Sequence, residues 1–450
     1  MPRRSRGKPA PTEFPRGRGF TPRRSRGKPA PTRVRLFFLC GLMGVLGAGC
    51  SPEEGAADSA AMETTEPARV PTTAEWKIFR GDAGLRGQSP GDASERPGVA
   101  WRTKLEEDVI AAPVVAAGSV FVACEDGLIY SLDEETGSEN WRFDNDFGFE
   151  ASPLFSDGRI FIGSLDGIFY CLDAATGELI WENRRETKIA ASANTIEIDV
   201  NEEGSRKLVV FGSYDNLLYA VDAGTGEEVW SYQTDNYING APAITTNGEI
   251  LFGGCDAYAH VVDSANGESI RQIFLNTYIP ASVALDGGKG YAGNYDGELL
   301  GFDVGTGEIQ WTNPLGGSFE TAPAVGGSLV LAAGADRRLY ALDQNSGELV
   351  WKYDPGRRLE SSPIVIGSTV VVADSGGEIH ALDLAAGAVR WTFDLGGSVV
   401  SSPVVANNRL FVGDENGWLH ALNLDGSQGE ADSSLEQPES EESPFVDWEE

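Results

Sequence analysis

The sequence predicts an all-β fold, an eight-bladed β-propeller of four-stranded antiparallel blades with the last blade closed by an N-terminal strand. Three observations predict it. A short motif of a turn residue, a run of apolar residues and a final Asp or Asn recurs eight times. Its last members are Asp133, Asp173, Asp222, Asp263, Asp303, Asp343, Asp383 and Asn423, spaced 40, 49, 41, 40, 40, 40 and 40 residues apart. A fixed period of that length marks stacked supersecondary units. A tryptophan follows the motif at one place per unit (Trp141, Trp181, Trp230, Trp311, Trp351, Trp391), with Arg271 in its place once. The chain also carries 56 glycines without collagen periodicity, as many tight turns between short strands require.

Each unit reads as four strands. The first opens on an Ala/Ser-Pro pair, as in Ala112-Pro-Val-Val115, Ser152-Pro-Leu-Phe155 and Ser362-Pro-Ile-Val365. A Gly- or Asn-bearing turn leads to a second apolar run such as Val120-Phe-Val-Ala123. Asp126-Gly127 and its counterparts are expected to turn the chain with positive φ at both central positions. A third, alternating strand ends on the motif aspartate, and Thr-Gly-Glu (Thr176, Thr225, Thr306) turns into the tryptophan strand. Four-stranded units repeated around an axis are propeller blades. The eighth copy stops after Asp425-Gly426 without its tryptophan strand, while Val99-Ala-Trp101-Arg-Thr-Lys104 is a tryptophan strand with no blade before it. The N-terminal strand therefore completes the eighth blade and removes an open sheet edge. Blade three carries nine extra residues near 201–207, expected as a longer hairpin.

These motifs resemble the pyrroloquinoline-quinone-type (PQQ-like) propeller repeat, with its Asp-Gly-x-Leu-Tyr-Ala-Leu-Asp and Thr-Gly-x-x-x-Trp signatures, over residues 75–424. Trp76-Lys-Ile-Phe-Arg-Gly81 is similar to the segment that leads into many such propellers. Among lipoproteins with eight such blades, the chain resembles the BamB family of the outer-membrane β-barrel assembly machinery. That resemblance implies an envelope scaffold that binds the barrel-inserting machinery or its clients. It transfers no partner-contacting motif, and a fold alone assigns no function.

The ends read differently from the propeller. Residues 1–49 hold twelve Lys and Arg against Glu13, so the net charge of −33 places −44 on the chain from Cys50 onward. A body so acidic disfavours nucleic acid and anionic headgroups. The apolar run 36–49 is shorter than the roughly 20 residues of a spanning helix and suits a signal peptide. It ends in Leu46-Gly-Ala-Gly-Cys50, which resembles the bacterial lipoprotein signal although its leucine lies one place further from the cysteine. Cys50 is the expected lipidation site, and Ser51 after it favours the outer membrane, facing the periplasm. The string PRRSRGKPAPT occurs twice, at 2–12 and 22–32; such a segment builds no core, and translation is expected to start near Val34. Residues 50–74 read as a flexible tether, and 425–450, with ten acids and no base, as a disordered tail.

No catalytic, cofactor-binding or metal-binding residue is expected, and no cofactor. Quinoprotein dehydrogenases with these blades pair adjacent cysteines, yet Cys124, Cys171 and Cys255 fall in three different blades. No Cys-x-x-Cys-His haem site occurs. His260, His380 and His420 lie on strands, the last two at the position of a repeated tyrosine, and are expected to pack rather than ligate. Asp126, Asp166, Asp215, Asp256, Asp296 and Asp336 recur at the hairpin turn, where aspartate caps backbone N–H groups. What breaks the repeat is aromatic: Tyr237 and Tyr278 just before their first strands, and Tyr214 and Tyr295 beside the turn. These four are expected on one face as a partner-binding patch. The reading is a lipid-anchored, protein-binding envelope scaffold and not an enzyme. Its alternative is a PQQ-dependent oxidoreductase or a small-ligand-binding propeller.

Overall fold

Each copy of the repeat folds into one antiparallel sheet. The computed structural model describes residues 75–200 and 204–429; the readings made on the leader, Cys50, the tether and the tail beyond Gly429 lie outside them. Two N-terminal strands, β1 (Gln88–Ser89) and β2 (Gly98–Lys104), precede blade one, which comprises β3 (Val114–Ala116), β4 (Ser119–Ala123), β5 (Leu128–Asp133) and β6 (Glu139–Asp144). The same four-strand meander repeats in blades two to seven, giving eight sheets with the last. The third strand of each blade is buried along most of its length, as in Ile129, Tyr130 and Leu132. It is enclosed on both faces by neighbouring blades, so the core is a ring of inter-blade apolar layers.

Blade eight closes as expected: β2 pairs antiparallel with Trp418–Asn423, with Trp101 opposite Ala421. The tryptophans lock blade to blade. Nε1 of Trp101 donates to Glu134 O (2.9 Å), Trp141 to Ala174 O (3.0 Å), Trp181 to Ala223 O (3.2 Å) and Trp230 to Ser264 O (2.9 Å). Where the tryptophan is missing, Arg271 Nη1 makes the same bond to Val304 O at 2.7 Å. The glycine of each Thr-Gly-Glu-type turn lies beneath the indole; a Cβ on Gly177 would stand 2.6 Å from Trp141. A bulge just before each tryptophan, such as that between Ser131 and Leu132 on the partner strand, re-aims the ring toward the next blade.

The hairpin turns differ from expectation in one respect. Only the second central residue has positive φ: Gly127 (95°), Gly167 (85°), Asn216 (70°), Ala257 (72°), Gly297 (81°), Arg337 (73°), Gly377 (90°) and Gly417 (75°). The loop is a longer one than a two-residue type I′ turn, closed by Cys124 N–H to Leu128 O in blade one, so a single left-handed residue suffices. Turn capping by aspartate is seen at Asp126, Asp215 and Asp256, each accepting the N–H two residues on. Asp166 instead accepts Ser164 Oγ (2.5 Å), and Asp336 accepts Tyr340 and Arg338.

The sequence gives no sign of what residues 76–89 do. They run around the inside of the ring as a belt, offering backbone carbonyls to the innermost strands in order. Val115 N–H donates to Trp76 O, Phe155 to Lys77 O, Ile244 to Ala83 O, Leu285 to Gly84 O, Val325 to Arg86 O and Val365 to Gly87 O, at 2.7–2.9 Å. In blade three the side chain of Asn194 reaches Ala83 O instead (3.0 Å). β1 then pairs parallel with Ile364–Ile366 of blade seven. The belt satisfies edge N–H groups that would otherwise line an open channel. Arg80 is fully buried at its centre, its Nη2 donating to Pro323 O (3.1 Å) and Pro363 O (2.5 Å). Burial holds its guanidinium down at about 9.

Candidate functional site

The loops that enter the first strands and the turns between second and third strands share one face, and one contact recurs there in all eight blades. The turn N–H donates to a loop carbonyl: Glu125 to Asp108, Leu165 to Gly148, Tyr214 to Lys188 and Cys255 to Tyr237 in blades one to four. Tyr295 to Tyr278, Ala335 to Ser318, Ser375 to Arg358 and Glu415 to Ser398 complete the ring, all at 2.8–3.4 Å. Each blade thus presents one loop residue and one turn residue side by side, and the sequence-predicted tyrosines occupy four of these sixteen places.

Blades three to five are therefore aromatic. Tyr237 stacks on Tyr214 with ring centroids 4.9 Å apart and planes at 11°. Lys188 Nζ lies 4.3 Å from the centre of the Tyr214 ring, and burial, with Glu150 nearby, pushes the Tyr214 hydroxyl up to about 12. Tyr278 and Tyr295 are joined by their backbone bond, and Tyr237, Tyr278 and Tyr295 remain 39–48% exposed. The structure adds residues that sequence reasoning missed. Phe274, 53% exposed, contacts Tyr258 at 5.4 Å at the same end of blade four. It stands where other blades carry Asp144, Arg184, Gln233, Pro314 and Asp394, a departure that was open to reading.

The rest of the face is charged by sector. In blades eight and one, burial, Glu415 and Glu107 push the Asp108 carboxyl up, and burial, Asp108 and Glu150 do the same for Glu125. Arg337, Arg338, Arg357 and Arg358 sit in the turn of blade six and the loop into blade seven. Arg338 pairs with Asp336 at 2.9 Å, and Arg358 with Glu360 at 3.3 Å. At the centre lies a cavity of about 190 Å³, floored by Phe79 of the belt and rimmed by Glu150, Glu320 and Glu360. Its throat is a ring of small residues bonded blade to blade, Ser152 N–H to Ser192 Oγ (2.9 Å) and Ser362 N–H to Ser402 Oγ (3.0 Å) among them.

The histidines do more than pack. His260 Nε2 meets Asp256 Oδ2 at 2.8 Å and its Nδ1 meets Tyr232 Oη at 3.1 Å; His380 stands likewise between Asp374 and Tyr353, both at 3.1 Å. His420 meets Asp414 at 3.0 Å. In blades three and six a tyrosine fills the same place, Tyr219 Oη donating to Asp215 at 2.8 Å and Tyr340 to Asp336 at 2.5 Å. Burial alone would raise Asp256, but the bond and charge of His260 outweigh it and hold the carboxyl low. Cys124, Cys171 and Cys255 are free and buried, and burial pushes each thiol up.

A family model described as outer membrane protein assembly factor BamB matches residues 95–147, 125–278, 258–361 and 337–442. The chain belongs to the BamB family. Among solved structures, BamB from Moraxella catarrhalis superimposes with a TM-score of 0.63 at 22% identity, over 73% of this chain and 98% of that one. Quinohemoprotein alcohol dehydrogenase ADHIIG from Pseudomonas putida HK5 gives 0.65 at 15% identity, covering 82% and 84%. The enzyme of the same kind from Comamonas testosteroni gives 0.64 at 14%, covering 81% and 83%. At these identities the likeness shows the shared propeller fold. No curated protein compared with the chain matches it.

The BamB-type funnel does not suit the quinone those dehydrogenases are named for. PQQ is a tricarboxylate, so its site needs cationic or N–H donors. The cavity lining here holds no Lys, Arg or His, while Glu150, Glu320 and Glu360 point negative charge at its mouth. Arg80 lies below the floor, spent on proline carbonyls of blades six and seven. Glu150 and Glu360 are ion-paired with Lys188 and Arg358, both at 3.3 Å, so the mismatch with a tricarboxylate rests on Glu320 and on a lining without a cation.

Proposed function

We propose that this chain is a lipid-anchored scaffold of the cell envelope that binds protein through its funnel face, in outer-membrane β-barrel protein assembly. The observation that carries the reading is the exposed aromatic cluster of blades three to five, with Tyr237 stacked on Tyr214 and Tyr278 beside Tyr295. Exposed, pre-organised tyrosines are the anchors that protein interfaces favour, and the family supplies the setting. The lipid anchor at Cys50 is part of the same proposal and rests on the signal-like run 36–49 that precedes it.

Crosslinking in intact cells, followed by purification of the lipidated protein and identification of what accompanies it, tests the reading. Recovery of a barrel-assembly subunit crosslinked through blades three to five supports it; recovery of no envelope assembly protein overturns it. The alternative, a PQQ-dependent oxidoreductase, is answered by titration with PQQ and Ca²⁺, where saturable binding with dye reduction would revive the enzyme.

A further inference from the structure

We propose that Asp374, Glu378 and His380 of blade seven form a zinc site. Their ligand atoms all lie within 4.8 Å of one another; binding requires the half-buried Glu378 side chain to turn inward to the 2.0–2.2 Å bonds that zinc takes from imidazole and carboxylate.

The repeat supplies its own controls. Blade eight carries the same His–Asp pair, with Asp414 six residues before His420, and blade four a related one from Asp256, four residues before His260. They place Trp418 and Tyr258 where blade seven places Glu378. The pair alone is explained by structure, since tyrosine replaces it in blades three and six. Glu378 is not. It takes a position that Leu128, Ile168 and Leu217 hold in blades one to three and Arg338 in blade six. Glu298 holds it in blade five, where it accepts from Asn276 and Asn294 (both 2.8 Å), whereas among the described residues the Glu378 carboxylate makes no hydrogen bond or ion pair. Asp374 uses Oδ1 to accept Gly376 N–H (2.8 Å) and Glu378 N–H (3.1 Å); its Oδ2 faces His380 Nε2 at 3.1 Å, and an ion bridging those two atoms replaces that hydrogen bond. His380 is oriented as metal-binding imidazoles are: Nε2 faces the carboxylates, and Nδ1 is held by Tyr353 Oη at 3.1 Å. In the bound form the imidazole proton sits on Nδ1 and is donated to Tyr353.

The charge is also favourable. Arg357 is the cation against this turn, its Nη1 2.0 Å from where a Cβ on Gly376 would stand. One guanidinium against two carboxylates and a neutral imidazole leaves the site net negative. Two protein anions and one nitrogen suit zinc, with further positions open to water through the exposed side.

The test is titration of the full chain with Zn²⁺ by calorimetry, and with Co²⁺ followed by its visible absorption. One saturable equivalent is expected for the parent. Glu378→Gln should weaken it ~10-fold or more, and His380→Gln should abolish it and the Co²⁺ spectrum. His260→Gln in blade four should leave both unchanged. Glu378 is partly exposed, so E378Q folds even if H380Q does not, and circular dichroism checks both. No saturable equivalent in the parent, or an equivalent that E378Q leaves intact, overturns the proposal.

Discussion

Nε1 of Trp391 donates to the carbonyl of Ala93 at 2.9 Å, across 298 positions of sequence. It is the same bond that Trp351 makes to Leu384 O at 2.9 Å within the run of blades, now made to the N-terminal segment that replaces the missing turn of blade eight. The closing seam is therefore built like the internal ones. Trp391→Phe and Trp351→Phe should each lower stability by about 1–2 kcal/mol, the loss of one buried hydrogen bond with some packing. Equal shifts in denaturant midpoint are the expected result. A negligible effect at Trp391 alone would mean that the seam carries no load.

The belt makes a sharper demand on one glycine. Gly87 has φ of +64°, and a Cβ there would stand 2.0 Å from Arg80 Nη2, a nitrogen pinned by two proline carbonyls. Gly118, φ +74°, has nothing within 4 Å of its Cβ position. Gly118→Ala should lose only the left-handed penalty of about 1–2 kcal/mol, and Gly87→Ala about 3 kcal/mol or more as the core is overpacked. Similar losses for the two would show that the buried guanidinium yields freely.

Two classes of carboxylate give stability a maximum in pH. The turn aspartates Asp133 and Asp173 are held low by the hydroxyl and N–H of Thr136 and Thr176. Their contribution is present above the unfolded value near 3.9 and is lost as pH falls through the lower folded one. Asp108 and Glu125 are raised by burial and by neighbouring acids. The folded state binds their protons more tightly, so stability is lost as pH rises through those raised values. The denaturant midpoint should climb as pH falls through the raised values of Asp108 and Glu125 and drop once pH falls below about 4. Glu125→Gln should flatten the upper limb; an unchanged limb would remove the acidic sector as its cause.

The blades and their closure were legible because each depends on side chains in a fixed period: Trp101 announced the strand that pairs with Trp418–Asn423. The belt was not, because it acts through backbone carbonyls and leaves no side-chain signature beyond a buried Arg80. The turn aspartates were placed correctly, yet φ at Asp126 depends on loop length, which a dipeptide does not encode. The tyrosines of the funnel face were legible as breaks in the repeat. Their stacking was not, since Tyr214 lies in the turn of blade three and Tyr237 in the loop into blade four, segments joined by the backbone bond of Ile238 N–H to Ser213 O.

That stacked pair carries the last prediction. Tyr237 is 45% exposed and Tyr278 39%, so neither ring supports the core. Tyr237→Ala should remove at most the ~0.5–1.5 kcal/mol of an aromatic pair from stability, and Tyr278→Ala less. If these rings anchor a protein partner, each substitution should reduce crosslinked partner in intact cells by ~10-fold, the effect of losing a central interface residue. Leu349→Ala is the control: 42% exposed, it opens the outer strand of blade six on the turn side of the ring. Full capture by the tyrosine variants would strip the aromatic face of its role, and loss with Leu349→Ala alone would move the partner to the opposite side of the propeller.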